Sequence, residues 1–240
     1  MKRWCALLLA YFAAGAWAEV VIDRTRLIYP ATQREVTVHL TNQATGPRLV
    51  QVWMDSGDAQ VRPEFVDVPF SVTPPILRME AAQRASLRVF LQAVDGQREA
   101  SDREAVYWLN VLGIAPSPVE GGQASVRLAI RSRIKVFLRP KGLAGDAASA
   151  PQALRWRLLD TSSGELEVHN PTGFYLSLSR VALTRAGIRR HSQDPPMLAP
   201  LTTTRLALSE TLPARAGPAS ISFTTLDDYG IPRHHTQPLP

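Results

Sequence analysis

Apolar and polar residues alternate along most of this chain with a period of two, in short runs separated by Pro, Gly, Asn and Asp. That is the pattern of half-buried β-strands, whose successive side chains point to opposite faces; the 3.6-residue recurrence of an amphipathic helix is hard to find. Val36, Val38 and Leu40 alternate with Thr37, His39 and Thr41 ahead of a turn-like stretch over 42–47. Further strands are expected at 49–53, 66–72, 87–91 and 105–112, and the Pro74-Pro75 pair breaks the chain between the second and third of these. A second series is expected at 154–159, 165–170, 174–183, 202–208 and 220–226, and the proline-rich stretch 230–240 reads as a frayed tail. The fold class that follows is all-β.

The longest alternation is at residues 125–140, which read SVRLAIRSRIKVFLRP. Val126, Leu128, Ile130, Ile134, Val136 and Leu138 share one face with a single serine, Ser132. The other face carries Arg127, Arg131, Arg133, Lys135 and Arg139, with Ala129 and Phe137. A strand of this length is unusual in a globular domain. Either its apolar row fills the core of its own sandwich, or part of that row passes beyond the core and is offered to a partner by edge pairing. Alternation alone leans towards the core and does not decide.

The chain opens Met1-Lys2-Arg3, continues with an apolar run to Ala14 and reaches Ala16-Trp17-Ala18. These are the charged, apolar and small-x-small regions of a secretory signal, in order, with cleavage expected after Ala18. The apolar run is shorter than the roughly 20 residues of a membrane span, so no stable membrane insertion is expected. The single cysteine, Cys5, lies in this segment. The exported chain then has no disulfide and must rest on a buried core. Its length, with a Pro, Gly, Ala and Ser-rich stretch after Arg139, divides it into a signal at 1–18 and two sandwich domains at 19–140 and 141–240.

Net charge is +6, and removing Lys2 and Arg3 leaves 25 Lys and Arg against 21 Asp and Glu, or +4. A basic balance suits an anionic surface, nucleic acid or the carboxylates of a protein, and export argues against nucleic acid. Catalytic signatures are missing: there is no Gly-x-Ser-x-Gly, no His-Glu-x-x-His, no glycine-rich phosphate loop and no cysteine nucleophile after residue 18. His39, His169, His191, His234 and His235 do not have zinc-ligand spacing. No catalytic residue, cofactor or metal is expected.

Residues 102–116 read DREAVYWLNVLGIAP, an acidic-basic-Glu triplet leading to an aromatic, an Asn and a Pro. DRTR at 23–26, IKVFLRP at 134–140, VHNPTGFYLSLS at 168–179 and DDYG at 227–230 follow in order along the chain. Together these segments resemble the PapD-like periplasmic chaperones of the chaperone–usher pathway, and the short stretch 117–124 is similar to the short-loop subgroup associated with rod-like pili. The resemblance implies two immunoglobulin-like β-sandwich domains in an L-shaped arrangement with a cleft between them, located in the periplasm. It implies a chaperone that binds pilus or fimbrial subunits by donor-strand complementation and delivers them to an outer-membrane usher. On matching positions the donor row is Val126, Leu128 and Ile130, and the anchor for the subunit's C-terminal carboxylate is Arg26 with Lys135. Glu104, Arg139 and Asp228 match an interdomain ionic network. Lys135 has the opposite parity to the donor row, so a twist or bulge is expected to bring both to one partner. Self-association through the same exposed strand is a further expectation. The competing reading is a two-domain β-sandwich surface or adhesion protein without chaperone activity.

Overall fold

The computed structural model describes residues 19–92, 102–116, 129–160, 164–209 and 217–239. Strands form where β-branched and aromatic residues alternate with polar ones and stop at Pro, Gly and Asn. In the first half they are β1 (Val20–Ile22), β2 (Arg26–Pro30), β3 (Glu35–Asn42), β4 (Arg48–Asp55), β5 (Phe70–Thr73), β6 (Ile76–Met79), β7 (Arg84–Leu91), β8 (Ala105–Ile114) and β9 (Ala129–Arg139). In the second half they are β10 (Arg155–Asp160), β11 (Glu165–Asn170), β12 (Leu176–Arg185), β13 (Ile188–His191), β14 (Met197–Leu198), β15 (Thr202–Ala207), β16 (Ala219–Leu226) and β17 (Pro232–Leu239).

The first nine strands make two sheets, ordered β1-β3-β7-β5 and β2-β9-β8-β4-β6. Between them lies a core that includes Leu27, Tyr29, Val38, Leu40, Val50, Leu87, Leu109 and Val136, all at most 1% exposed. The remaining strands make a second sandwich, β10-β11-β15 facing β13-β12-β16-β17, with β14 beside β12. Its separate core centres on Leu166, Val168, Leu183, Ile221 and Phe223. Two cores, each enclosed by its own pair of sheets, make this an all-β chain of two immunoglobulin-like sandwiches.

Two expected elements differ. The strand expected over 66–72 is shorter, since pairing begins only at Phe70, after a 3-10 turn at Pro63–Phe65. Pro69 has no N–H to give to a ladder, and its carbonyl instead accepts from Gln92 N at 2.8 Å. The stretch read as a frayed tail is strand β17, paired along its whole length with β16 from Leu226↔Pro232 to Ala219↔Leu239. It lies at the edge of its sheet, where a proline without a donor is tolerated. His234 and His235 are tied to Thr224 and Thr225 at 2.8 and 2.9 Å, and the His235 ring stacks on Phe223.

Candidate functional site

The chain enters the first sandwich twice at its leading edge. β1 pairs with β3 in one sheet, and the next strand, β2, crosses to the other sheet and pairs parallel to β9. That parallel register is Arg26↔Lys135, Leu27↔Val136, Ile28↔Phe137, Tyr29↔Leu138 and Pro30↔Arg139. Among the described residues β9 therefore has a neighbour on that side only from Lys135 onward. From Ala129 to Ile134 no described strand pairs with that edge.

On its other side β9 pairs with β8 without interruption from Ala129↔Ile114 to Leu138↔Ala105. No bulge intervenes, so the expected break in parity is absent, and the alternation read from sequence is the alternation of the strand. Ile134, Val136 and Leu138 enter the core. Ile130 points to the same side, opposite Gly113, and is partly buried but outside the core cluster. Val126 and Leu128 lie outside the described residues.

The opposite face of this sheet carries cross-strand rows. One row is Asp55, Trp108, Lys135 and Arg26; the next is Trp53, Asn110 and Arg133. Asp55 is fully buried and accepts from Asn110 Nδ2 at 2.7 Å, Gly57 N at 2.7 Å and Arg133 Nε at 3.1 Å, with a further bond from Arg133 Nη2. Burial pushes its carboxyl up, but the Arg133 guanidinium, the Asn110 amide and the Gly57 N–H outweigh that and hold it below the usual carboxylate range. Arg133 lies over the Trp108 ring at 4.6 Å and Arg131 over Trp53 at 5.1 Å. Sequence reading placed Arg131 and Arg133 on a cationic face but had no signal for Asp55, which joins them only across strands.

Lys135 has no such partner: no acceptor among the described residues lies within hydrogen-bond distance, and burial followed by repulsion from Arg26 holds its ammonium below the ordinary lysine value. Arg26 is only 8% exposed. Its Nη1 donates to Leu226 O at 3.2 Å and Ser177 Oγ at 3.4 Å, and its Nε is buried without an acceptor. Burial pulls Arg26 below the ordinary guanidinium value against the attraction of Asp228 and Asp227, and it stays charged at any working pH. The two cations line a pocket of about 410 Å³ with Thr25, Trp108, Arg133, Leu226 and Gly230. The pocket thus presents two partly desolvated cations beside the Trp108 ring.

Glu104, Arg139 and Asp228 come together at the seam between the sandwiches. Arg139 Nε donates to Glu104 at 2.6 Å, and its two terminal nitrogens fork onto Asp228 at 2.7 and 2.9 Å. Glu104 also accepts from Tyr175 N at 2.8 Å, and the Arg139 guanidinium covers the Phe174 ring at 5.2 Å. Burial pushes the Glu104 carboxyl up against the pull of Arg139 and the Tyr175 amide. Burial opposes charge on Arg139 too, but Asp228 and Glu104 hold it above its ordinary value. Sequence reading missed Ser177 and Leu226 as partners of Arg26, because they lie 151 and 200 positions away.

Fold and site together define a two-sandwich immunoglobulin-like protein with a cationic pocket at the domain seam and an open strand edge leading to it. Residues 19–144 match the N-terminal domain of PapD, described as a pili and flagellar-assembly chaperone, and residues 149–237 match the C-terminal domain of the pili assembly chaperone PapD. The chain is 40% identical over 227 residues to the chaperone protein FimB/FhaD of Bordetella pertussis, covering 94% of this chain and 90% of that one. The crystal structure of the YadV chaperone superposes with a TM-score of 0.79 at 35% identity, over 92% of this chain and 100% of that one. The SafB chaperone of Salmonella enterica, solved in complex with the SafA pilin, gives a TM-score of 0.73 at 26% identity, over 93% and 99% of the two chains. This chain belongs to the PapD-like family of pilus-assembly chaperones, and these matches do not favour a surface or adhesion protein. Among the described residues no helix is long and apolar enough to cross a membrane.

Proposed function

We propose that this chaperone caps pilus or fimbrial subunits in the periplasm by filling a gap in the subunit's fold with the leading half of β9, and passes them to an outer-membrane usher. Cleavage after Ala18 would release domains at 19–140 and 141–240 into that compartment. The observation that carries the reading is the lane beside β9, open from Ala129 to Ile134 and closed by Arg26 at the start of β2. A subunit strand lying in that lane satisfies the free edge of β9 and ends against β2. Its terminal carboxylate then meets Arg26 ahead of it in the lane and Lys135 beside it on β9.

This reading accommodates the opposite parity of Lys135 and the donor row. Ile130 and Lys135 leave β9 on opposite faces, and a partner strand lying in the plane of the sheet has both faces beside it, so the two would serve one partner from a regular strand. A C-terminus at the Arg26 end also means that the subunit strand runs parallel to β9. Val126, Leu128 and Ile130 would each contribute roughly 1.5–3 kcal/mol of apolar burial. The anchor sets register, since a slip of one residue turns every donor side chain away from its pocket. Glu104, Arg139 and Asp228 would hold the two sandwiches at the angle the pocket needs. In the free protein the same lane is open to a second copy of the strand. No step calls for catalysis, a metal or a cofactor.

Co-expression with a pilin-like subunit and co-purification tests the reading. Wild type is expected to retain the subunit, and a Lys135→Ala chain that folds normally is expected to lose it. Retention at wild-type yield would sink the carboxylate anchor.

A further inference from the structure

We infer that Ser177, on the second sandwich, is a positioning residue for Arg26 on the first, so that the pocket is complete only when the two sandwiches are seated against each other. Among the described residues both hydrogen bonds of the Arg26 side chain cross to the second sandwich, to Ser177 Oγ and Leu226 O. These two acceptors are register partners on β12 and β16, so one rung of that sheet holds the guanidinium. From the first sandwich the head group has the Phe137 ring, 6.0 Å away, and no hydrogen bond among the described residues. An arginine held by one domain and rooted in another changes its aim whenever the domains shift.

The same second-domain segment makes the seam. Gly173 O accepts from Glu104 N at 2.8 Å, Tyr175 N donates to Glu104 at 2.8 Å, and Ser177 then reaches Arg26. The approach at Gly173 is so close that an added Cβ would stand 2.6 Å from both Asp102 O and Leu143 Cδ1. Whatever wedges the seam open at Gly173 therefore also draws Ser177 away from Arg26, two turns of alternation further along. Ser177 does not touch the carboxylate; it acts through Arg26.

The inference rests on the carboxylate reading above, and the test separates the two. Purified full-length exported chain is titrated with a ten-residue peptide of alternating valine and threonine, once with a free C-terminal carboxylate and once amidated. Wild type is expected to prefer the acid. Ser177→Ala is expected to cut that preference by roughly three- to tenfold, the worth of one hydrogen bond, while leaving affinity for the amide unchanged. Gly173→Ala is expected to cut it in the same direction through the seam. An acid-to-amide ratio in Ser177→Ala equal to that of wild type overturns the positioning role, as does equal weakening of both peptides. A wild-type ratio in Gly173→Ala overturns the dependence on domain seating. If wild type itself does not distinguish acid from amide, the carboxylate reading has failed and the inference falls with it.

Discussion

Arg26 and Lys135 stand side by side on parallel strands β2 and β9, in direct register and on one face of the sheet, with no carboxylate between them. Two like charges held together and partly desolvated are a source of repulsion that a bound carboxylate relieves. The neighbouring Arg133 shows the contrast, because Asp55 already neutralises it. Positive charge in the pocket is thus concentrated on the pair that makes no ion pair among the described residues.

Removing one member should accordingly cost binding and not stability. Lys135→Ala is expected to weaken subunit affinity by roughly 10- to 100-fold, the loss of a charge-assisted hydrogen bond. Its unfolding free energy is expected to stay within about 0.5 kcal/mol of wild type, or to rise. Isothermal titration beside urea denaturation measures both. A large loss of stability would mean that Lys135 has a structural acceptor.

Lys135 should also set an alkaline limit to binding. Because its ammonium is held below the ordinary lysine value, the folded chain binds fewer protons than the unfolded chain between that lowered value and about pH 10.4. Across this window the group's contribution to stability rises with pH, while carboxylate binding falls as the amine becomes neutral. Peptide affinity followed from about pH 7 to 11 is expected to decline before pH 10.4. Lys135→Arg, which keeps its charge throughout, is expected to lack that decline; the same decline in the arginine variant would assign it to another group.

Ile130 and Ile134 share a face of β9 but are expected to answer differently to the same change. Ile134 is 8% exposed within the core cluster, and Ile134→Asp should destabilise the first sandwich by about 3 kcal/mol or more. Ile130 lies beyond that cluster, so Ile130→Asp should leave the thermal midpoint nearly intact and weaken subunit binding by about 1.5–3 kcal/mol. Thermal unfolding and co-purification of both variants decide; equal collapse would place Ile130 in the core.

Arg139→Ala is expected to destabilise the chain by about 3–5 kcal/mol, because it leaves the Glu104 carboxylate buried without its cation. Adding Glu104→Gln should recover a large part of that loss in urea denaturation. If the double variant is no more stable than the single one, the damage comes from lost packing over Phe174 instead.

Local chemistry is legible wherever a residue's role depends on its neighbours in the chain. Period-two alternation identifies β3, β4, β8, β9, β11 and β16 to within a few residues, since the pleat alone decides which face each side chain takes. It fails at β17, whose prolines and histidines carry no apolar stripe and which exists because β16 offers it a complete ladder. The late start of β5 and the pairing of β17 have related reasons: both turn on where a proline meets a partner strand, which no local pattern states.

By itself the sequence determined that the chain is all-β, that apolar and polar residues alternate through 126–138, and that Arg26, Lys135, Glu104, Arg139 and Asp228 belong to segments resembling one family. Only the tertiary structure decided which of those charges meet. It set Arg26 opposite Lys135 through the crossing of β2 between sheets, gave Arg133 to Asp55, and handed Arg26 to Ser177 and Leu226 of the other sandwich. It also showed that the alternation of β9 is unbroken, so Ile130 and Lys135 lie on opposite faces of the strand. The physical reason is range: side-chain parity is set by bonds between adjacent residues, whereas charge pairing and burial depend on strands brought together from distant parts of the chain.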